Sequence, residues 1–107
     1  MLSIEIKTDL FCLATINNMW SRIQFDNTTE GKVHKSIAEL VMMRFIKKQL
    51  SRITKPNTKF NLVFNYHEAY VIEKYLRAHN AEIHSFIQSL EYNTILDFCN
   101  TLHQKLA

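Results

Sequence analysis

The pattern of apolar and polar positions first predicts a short strand, because the two kinds alternate over residues 2–7. From Cys12 onward the apolar positions recur three and four residues apart, which is the spacing of a helix with one buried face. Either Thr8 or Asp9 can cap the first turn of this helix. Its predicted buried face consists of Cys12, Leu13, Ile16, Met19, Trp20 and Ile23.

The segment DNTTEGK predicts a turn and the start of a second helix, with Asn27 or Thr28 as the N-cap. We expect this helix to end near Thr54, because Pro56 disfavours helical geometry in the residue before it. Alternation over residues 59–65 then predicts a second strand. Two short strands are marginal alone, so we expect them to pair as an antiparallel ribbon that packs on helices or on another chain.

The last third of the chain predicts three more helices. In the sequence NYHE, Asn65 and Glu68 have the spacing of a capping box, so the third helix should begin there. We expect Asn80 and Asn93 to begin the fourth and fifth helices. The sequence therefore predicts one domain over residues 1–107, in the α+β class but mainly α, with about five helices and a two-stranded antiparallel ribbon in the order β-α-α-β-α-α-α.

The two halves of the second helix have apolar faces that point in different directions. The face of its first half consists of Val33, Ile37, Leu40 and Val41. The face of its second half consists of Met42, Phe45, Ile46, Leu50 and Ile53. At 100° per residue these faces point in nearly opposite directions, so one flat core cannot bury both. The helix could kink, cross the middle of the domain, or pack one half on a second subunit. The last arrangement makes the second set the candidate interface of a homodimer.

Positive charge is concentrated in the middle of the chain. The net charge is +3, but residues 32–59 hold eight Lys or Arg against Glu39 alone. The basic positions of interest are Arg44, Lys47, Lys48, Arg52, Lys55 and Lys59. Cations near the end of a helix favour its dipole whatever the function, and clustered cations also bind phosphates. Because no zinc finger or glycine-bearing RNA motif is present, we prefer the first explanation and keep nucleic-acid contact as the alternative.

The sequence gives little sign of catalysis or metal binding. His67 and Glu68 do not continue into an HExxH motif, and the two cysteines are far apart, so we predict no metal and no cofactor. Cys12 and Cys99 lie on apolar helix faces, which predicts buried, reduced thiols. Tyr66, His67 and Glu68 could supply an acid and a base, but no nucleophile or phosphate-binding loop accompanies them. We assign no catalytic residue and expect no enzyme.

The remaining expectations concern location and function. No apolar run approaches the ~20 residues that span a bilayer, and no signal peptide begins the sequence, so we expect a cytoplasmic protein without membrane contact. The abundance of Asn, Ile and Lys is typical of an AT-rich genome, bacterial or phage. We predict a small non-catalytic interaction or regulatory protein acting as a homodimer. The alternative is a nucleic-acid-binding accessory protein that uses the basic face of the second helix.

Overall fold

The structure, a computed structural model, describes residues 3–83 and 89–107. Its elements in chain order are β1 (Ile4–Thr8), α1 (Leu10–Trp20), α2 (Thr29–Arg52), β2 (Phe60–Phe64), α3 (Tyr66–Ile83) and α4 (Leu90–Leu106). The predicted fold class, a mainly helical α+β protein, is confirmed. None of the helices in the described ranges is long and apolar enough to cross a membrane.

The two strands pair with each other in the predicted antiparallel ribbon. Ile4 lies opposite Phe64, and Thr8 lies opposite Phe60. Each strand alternates buried and exposed residues, so one face of the ribbon packs on the helices and the other faces solvent. Phe64 lies at the centre of the core, and its ring contacts those of Phe45 and Phe98 edge-to-face. This aromatic contact joins β2 to α2 and α4.

The predicted helix starts are confirmed for the first three helices. The side chains of Asp9 and Thr28 each accept a hydrogen bond from the backbone N–H three residues further on, as N-caps do. Asn65 and Glu68 form the reciprocal capping box, with side-chain-to-backbone distances of 2.9 and 3.0 Å. These starts depend on contacts within four residues, which explains why the sequence predicts them.

The third helix is longer than predicted, and the described residues contain four helices where the sequence predicts about five. α3 continues through Asn80 to Ile83. Asn80 does not begin a new helix, because its side chain is buried and its amide donates a hydrogen bond of 3.1 Å to the carbonyl oxygen of Tyr92. The apolar spacing of the sequence also predicts Phe86 and Ile87 as inward positions of the fourth helix, and both lie outside the described residues.

The last helix begins earlier than predicted. α4 starts at Leu90, and the Ser89 hydroxyl accepts a hydrogen bond from the N–H of Tyr92, so Ser89 is the N-cap and Asn93 is not. The apolar spacing of the sequence also predicts which positions of this helix point inward, namely Ile95, Phe98, Cys99, Leu102 and Leu106, and this prediction is correct. Its buried members are Ile95, Phe98, Cys99 and Leu102, with Leu106 partly buried against them.

The second helix buries one line of side chains instead of two opposed faces. The buried line consists of His34, Ala38, Val41 and Phe45, at helical spacing along one uninterrupted helix. Val33 and Leu40, predicted to point inward, are 52% and 63% exposed. Ala38 takes the inward position because a small side chain lets α2 approach its neighbours closely. His34 is buried because it has a hydrogen-bond partner, Tyr75.

A prediction concerns Gly31, the single glycine of the chain, in the first turn of α2. A Cβ atom at Gly31 would overlap the backbone carbonyl of Asp26, and a backbone atom cannot move aside as a flexible side chain can. We expect Gly31→Ala to lower the free energy of unfolding by about 1–2 kcal/mol, because overpacking exceeds the helix-propensity gain of roughly 1 kcal/mol. Urea denaturation measures the change. Ser36→Ala, at an exposed position of α2, should not destabilise the protein. Equal stability of Gly31→Ala and the original protein would contradict the close approach.

Candidate functional site

The outward side of α2 carries a continuous line of exposed apolar side chains. We call these residues the outer stripe: Leu40, Met43, Ile46, Leu50 and Ile53, each 44–65% exposed. The last four are separated by three, four and three residues, which is the a/d spacing of helices that pair along a seam. Leu50 lies about 140° around the helix from Phe45, so the outer stripe points away from the chain's own core.

The outer stripe overlaps the predicted dimer interface but does not coincide with it. Ile46, Leu50 and Ile53 belong to both sets. Phe45 does not belong to the candidate interface, because it is only 3% exposed and its ring packs edge-to-face on Phe64. Met42 is partly buried against the core. The sequence prediction missed Leu40 and Met43, although the three-four-three spacing from Met43 onward was available to identify the seam.

Apolar exposure of this extent needs a physical reason. Single exposed apolar side chains are normal on protein surfaces, but a contiguous row is typical of a surface that another molecule covers. No charged residue interrupts the seam positions from Met43 to Ile53. The arrangement therefore suits a helix partner, which can interlock its own side chains with a row of this spacing.

The predicted basic residues differ in their contacts and in their solvent exposure. Arg44 forms an ion pair of 2.9 Å with Glu68. The helical spacing of the sequence predicts that Lys48 and Arg52 are exposed on one side of α2 together with Arg44, Lys47 and Lys55. Lys48 and Arg52 are instead partly buried, because their cationic groups lie 5.6 and 5.1 Å from the centre of the Phe60 ring. Their aliphatic stems continue the buried line of α2 beyond Phe45.

Four members of the basic set are exposed: Arg44, Lys47, Lys55 and Lys59. Lys59 directly precedes Phe60 in the chain. Cationic side chains from the end of α2 and from the residue before β2 therefore lie near Phe60. We call the six residues the basic cluster: Arg44, Lys47, Lys48, Arg52, Lys55 and Lys59.

The acid and base suggested by the sequence are engaged in structural contacts. One carboxylate oxygen of Glu68 accepts the capping hydrogen bond from Asn65, and the other pairs with Arg44. Tyr66 and His67 are exposed on the first turn of α3. With Glu68 holding the helix start, the three side chains do not form a converging acid–base site.

A second histidine contact lies between α2 and α3. The Nδ1 atom of buried His34 is 2.8 Å from the Tyr75 hydroxyl, and Glu30 lies 3.7 Å from the other ring nitrogen. Burial raises the pKa of the Tyr75 hydroxyl, so this tyrosine stays protonated at neutral pH. The contact fixes α2 against α3 and gives His34 the partner that a buried imidazole needs.

Metal ligands do not converge within residues 3–83 and 89–107. No group of three or more His, Cys, Asp or Glu side chains there is arranged to hold a metal ion. Glu73 contacts His103 at 2.8 Å and Arg77 at 3.7 Å, which links α3 to α4 through charge and hydrogen bonding.

Both cysteines are buried and free. Burial is the main cause that raises the pKa of each thiol, and for Cys99 it raises the pKa to about 12. Since the thiolate is the reactive form, neither side chain is activated for nucleophilic chemistry near neutral pH.

Comparison with protein-family models, with curated proteins and with solved structures found no match. Function is therefore inferred from the surfaces and contacts of the chain itself. Those that stand out are the outer stripe along α2 and the basic cluster, which extends from α2 to the residue before β2.

The burial of the thiols predicts their reactivity. We expect iodoacetamide at pH 8 to label Cys99 far more slowly in the folded protein than in urea, where the thiol pKa returns to ~8.5. Because the folded pKa is raised, folding stability should also decline as pH rises above the unfolded value. Cys12, the less buried thiol, should react first. Peptide mapping by mass spectrometry measures both rates, and equal labelling of Cys99 in the two states would contradict its burial.

Proposed function

We propose that this protein is a non-catalytic interaction protein that acts as a homodimer, with the outer stripe of α2 as the interface. The observation that carries the proposal is the exposed row Met43, Ile46, Leu50 and Ile53 at a/d spacing. The engaged carboxylate of Glu68 supports a non-catalytic role. Two buried free thiols suit a reducing compartment, which supports a cytoplasmic location.

A second copy of the chain is the partner that fits the row best. In an antiparallel pair about a twofold axis near residue 48, Met43 packs against the partner's Ile53 and Ile46 packs against the partner's Leu50. The symmetry repeats both contacts, so each of the four side chains meets an apolar side chain in an a-to-d layer. Self-complementarity of this kind is what a twofold interface requires.

The expected dimer is weak and reversible. Complete burial of a large apolar side chain stabilises by about 1.5–3 kcal/mol, and these side chains are already about half buried. Eight such contributions of about 1 kcal/mol must offset an association cost of about 4–15 kcal/mol. We therefore expect monomer and dimer to exchange as protein concentration changes.

The interface is tested by Leu50→Glu. We expect the original chain to approach twice its 12.7 kDa mass at high concentration. The variant should stay monomeric, because a charge buried between apolar layers is costly. Its melting temperature should change little, since Leu50 is exposed within one chain. Sedimentation equilibrium measures the masses.

Val33→Glu is the matched control, because Val33 is an exposed apolar residue of α2 outside the outer stripe. This variant should dimerise as the original chain does. A mass of 12.7 kDa for the original chain at several hundred micromolar would refute the proposed homodimer.

A nucleic-acid-binding role is the second candidate, and the grouping of cations around Phe60 is the observation that favours it. Lys48 and Arg52 are held over the ring, and Lys59 adjoins it in sequence. Lys47 and Lys55 are exposed on the neighbouring part of the chain, so the basic cluster also offers ammonium groups that are not held over the ring.

Salt dependence tests this second role. If about four cations meet phosphates, the affinity for duplex DNA should fall roughly 10²-fold between 50 and 200 mM salt. The double variant Lys48→Glu/Arg52→Glu should bind more weakly and with a flatter salt slope. Fluorescence anisotropy measures both quantities.

The control for the salt experiment is Lys32→Glu/Lys35→Glu, which makes the same charge change on α2 outside the basic cluster. Its affinity for DNA should fall more steeply with salt concentration than that of the Lys48→Glu/Arg52→Glu variant. Absence of binding at 50 mM salt, or identical slopes for the two double variants, would exclude the basic cluster as a nucleic-acid site.

A further inference from the structure

A surface trough of about 760 Å³ lies between β1 and α4. Consecutive residues from Glu5 to Asp9 line one wall, so the trough runs along β1, and Asn61 on the paired strand and Lys59 just before that strand also contribute to the lining. The opposite wall is a line of α4 side chains at helical spacing: Leu90, Thr94, Asp97, Thr101 and Lys105. No residue of α2 lines the trough, so it is separate from the proposed dimer interface.

The strand at this wall has an unpaired edge. Within the described residues β1 pairs with β2 alone. In an antiparallel pair, alternate residues direct their N–H and C=O groups away from the neighbouring strand. The trough therefore offers a row of backbone donors and acceptors along five residues, a length of about 17 Å. Such an edge is a template for one more strand.

The trough is also lined by charged side chains of both signs. The acidic ones are Glu5, Asp9 and Asp97, and the basic ones are Lys7, Lys59 and Lys105. In the part of the chain that the structure describes, none of these six forms an ion pair. Exposed apolar surface in the trough comes chiefly from Phe11 and Leu90.

We infer that the trough binds an extended peptide segment of another protein, which adds to β1 as the third strand of the sheet. Backbone hydrogen bonds to β1 would supply the affinity, and the groups on α4 would select the side chains that alternate into the trough. Unpaired carboxylates and ammonium groups suit a segment that carries both basic and acidic residues.

The dimensions favour a peptide over a second copy of this chain. A volume of about 760 Å³ is within the range of ligand sites, roughly 300–1,000 Å³. It accommodates a few extended residues. The β1 strand of a second copy would arrive with its own α4 beside it, and that helix would meet the α4 wall already present. A single strand enters without this conflict.

The test is an NMR titration of ¹⁵N-labelled protein with the synthetic peptide Ac-KVEVKVE-amide. We expect saturable shifts of the backbone amides of β1 and of Thr94 and Thr101. A control peptide with proline in place of all three valines lacks the N–H groups at those positions and should bind at least tenfold more weakly. Absence of saturable shifts at millimolar peptide, equal affinity for the proline peptide, or shifts confined to α2 would overturn the inference.

Two variants locate the site. Thr101→Trp should fill the trough and weaken peptide binding at least tenfold, whereas Asn100→Trp, at an exposed position about 100° around the same helix, should bind as the original chain does. Circular dichroism establishes that both variants fold. If Thr101→Trp does not fold, Thr94→Arg on the same wall replaces it. A folded trough variant that binds the peptide normally would refute the site.

Discussion

The arrangement of this protein depends on one constraint: α2 can bury only one line of its side chains. The line His34, Ala38, Val41 and Phe45 faces the core, and the stems of Lys48 and Arg52 extend it over Phe60. A helix of 24 residues is about 36 Å long, and α2 packs chiefly on α1 and α3. Among the described residues, nothing covers the opposite side, and the outer stripe is the consequence.

The sequence predicts the elements whose causes are local. The strands follow from alternation, and the caps at Asp9, Thr28 and Asn65 follow from side-chain chemistry within one turn. The buried line of α2 is not predicted, because ranking residues by apolar character places Leu40 above Ala38. The burial of His34 depends on Tyr75, which is 41 positions away in sequence. The extension of α3 through Asn80 likewise depends on a tertiary hydrogen bond.

The same distinction applies to the candidate surfaces. Charge is visible in the sequence, so the basic cluster could be predicted, but the partial burial of Lys48 and Arg52 required the position of Phe60. The trough could not be predicted, since it depends on which edge of β1 stays unpaired and on where α4 lies. The outer stripe and the trough are on different elements. A dimer and a peptide-binding protein are therefore compatible proposals that can fail separately.

The most direct test of the central claim is an intermolecular methyl NOE measurement. It uses a sample that mixes isotope-labelled and unlabelled chains. Met43 and Ile53 are about 15 Å apart along one helix, so an NOE between their methyl groups must join two copies. The antiparallel dimer predicts this NOE, with Ile46–Leu50 contacts between copies beside it. Contacts only between identical residues of the two copies, or no intermolecular NOE at several hundred micromolar, would contradict the account.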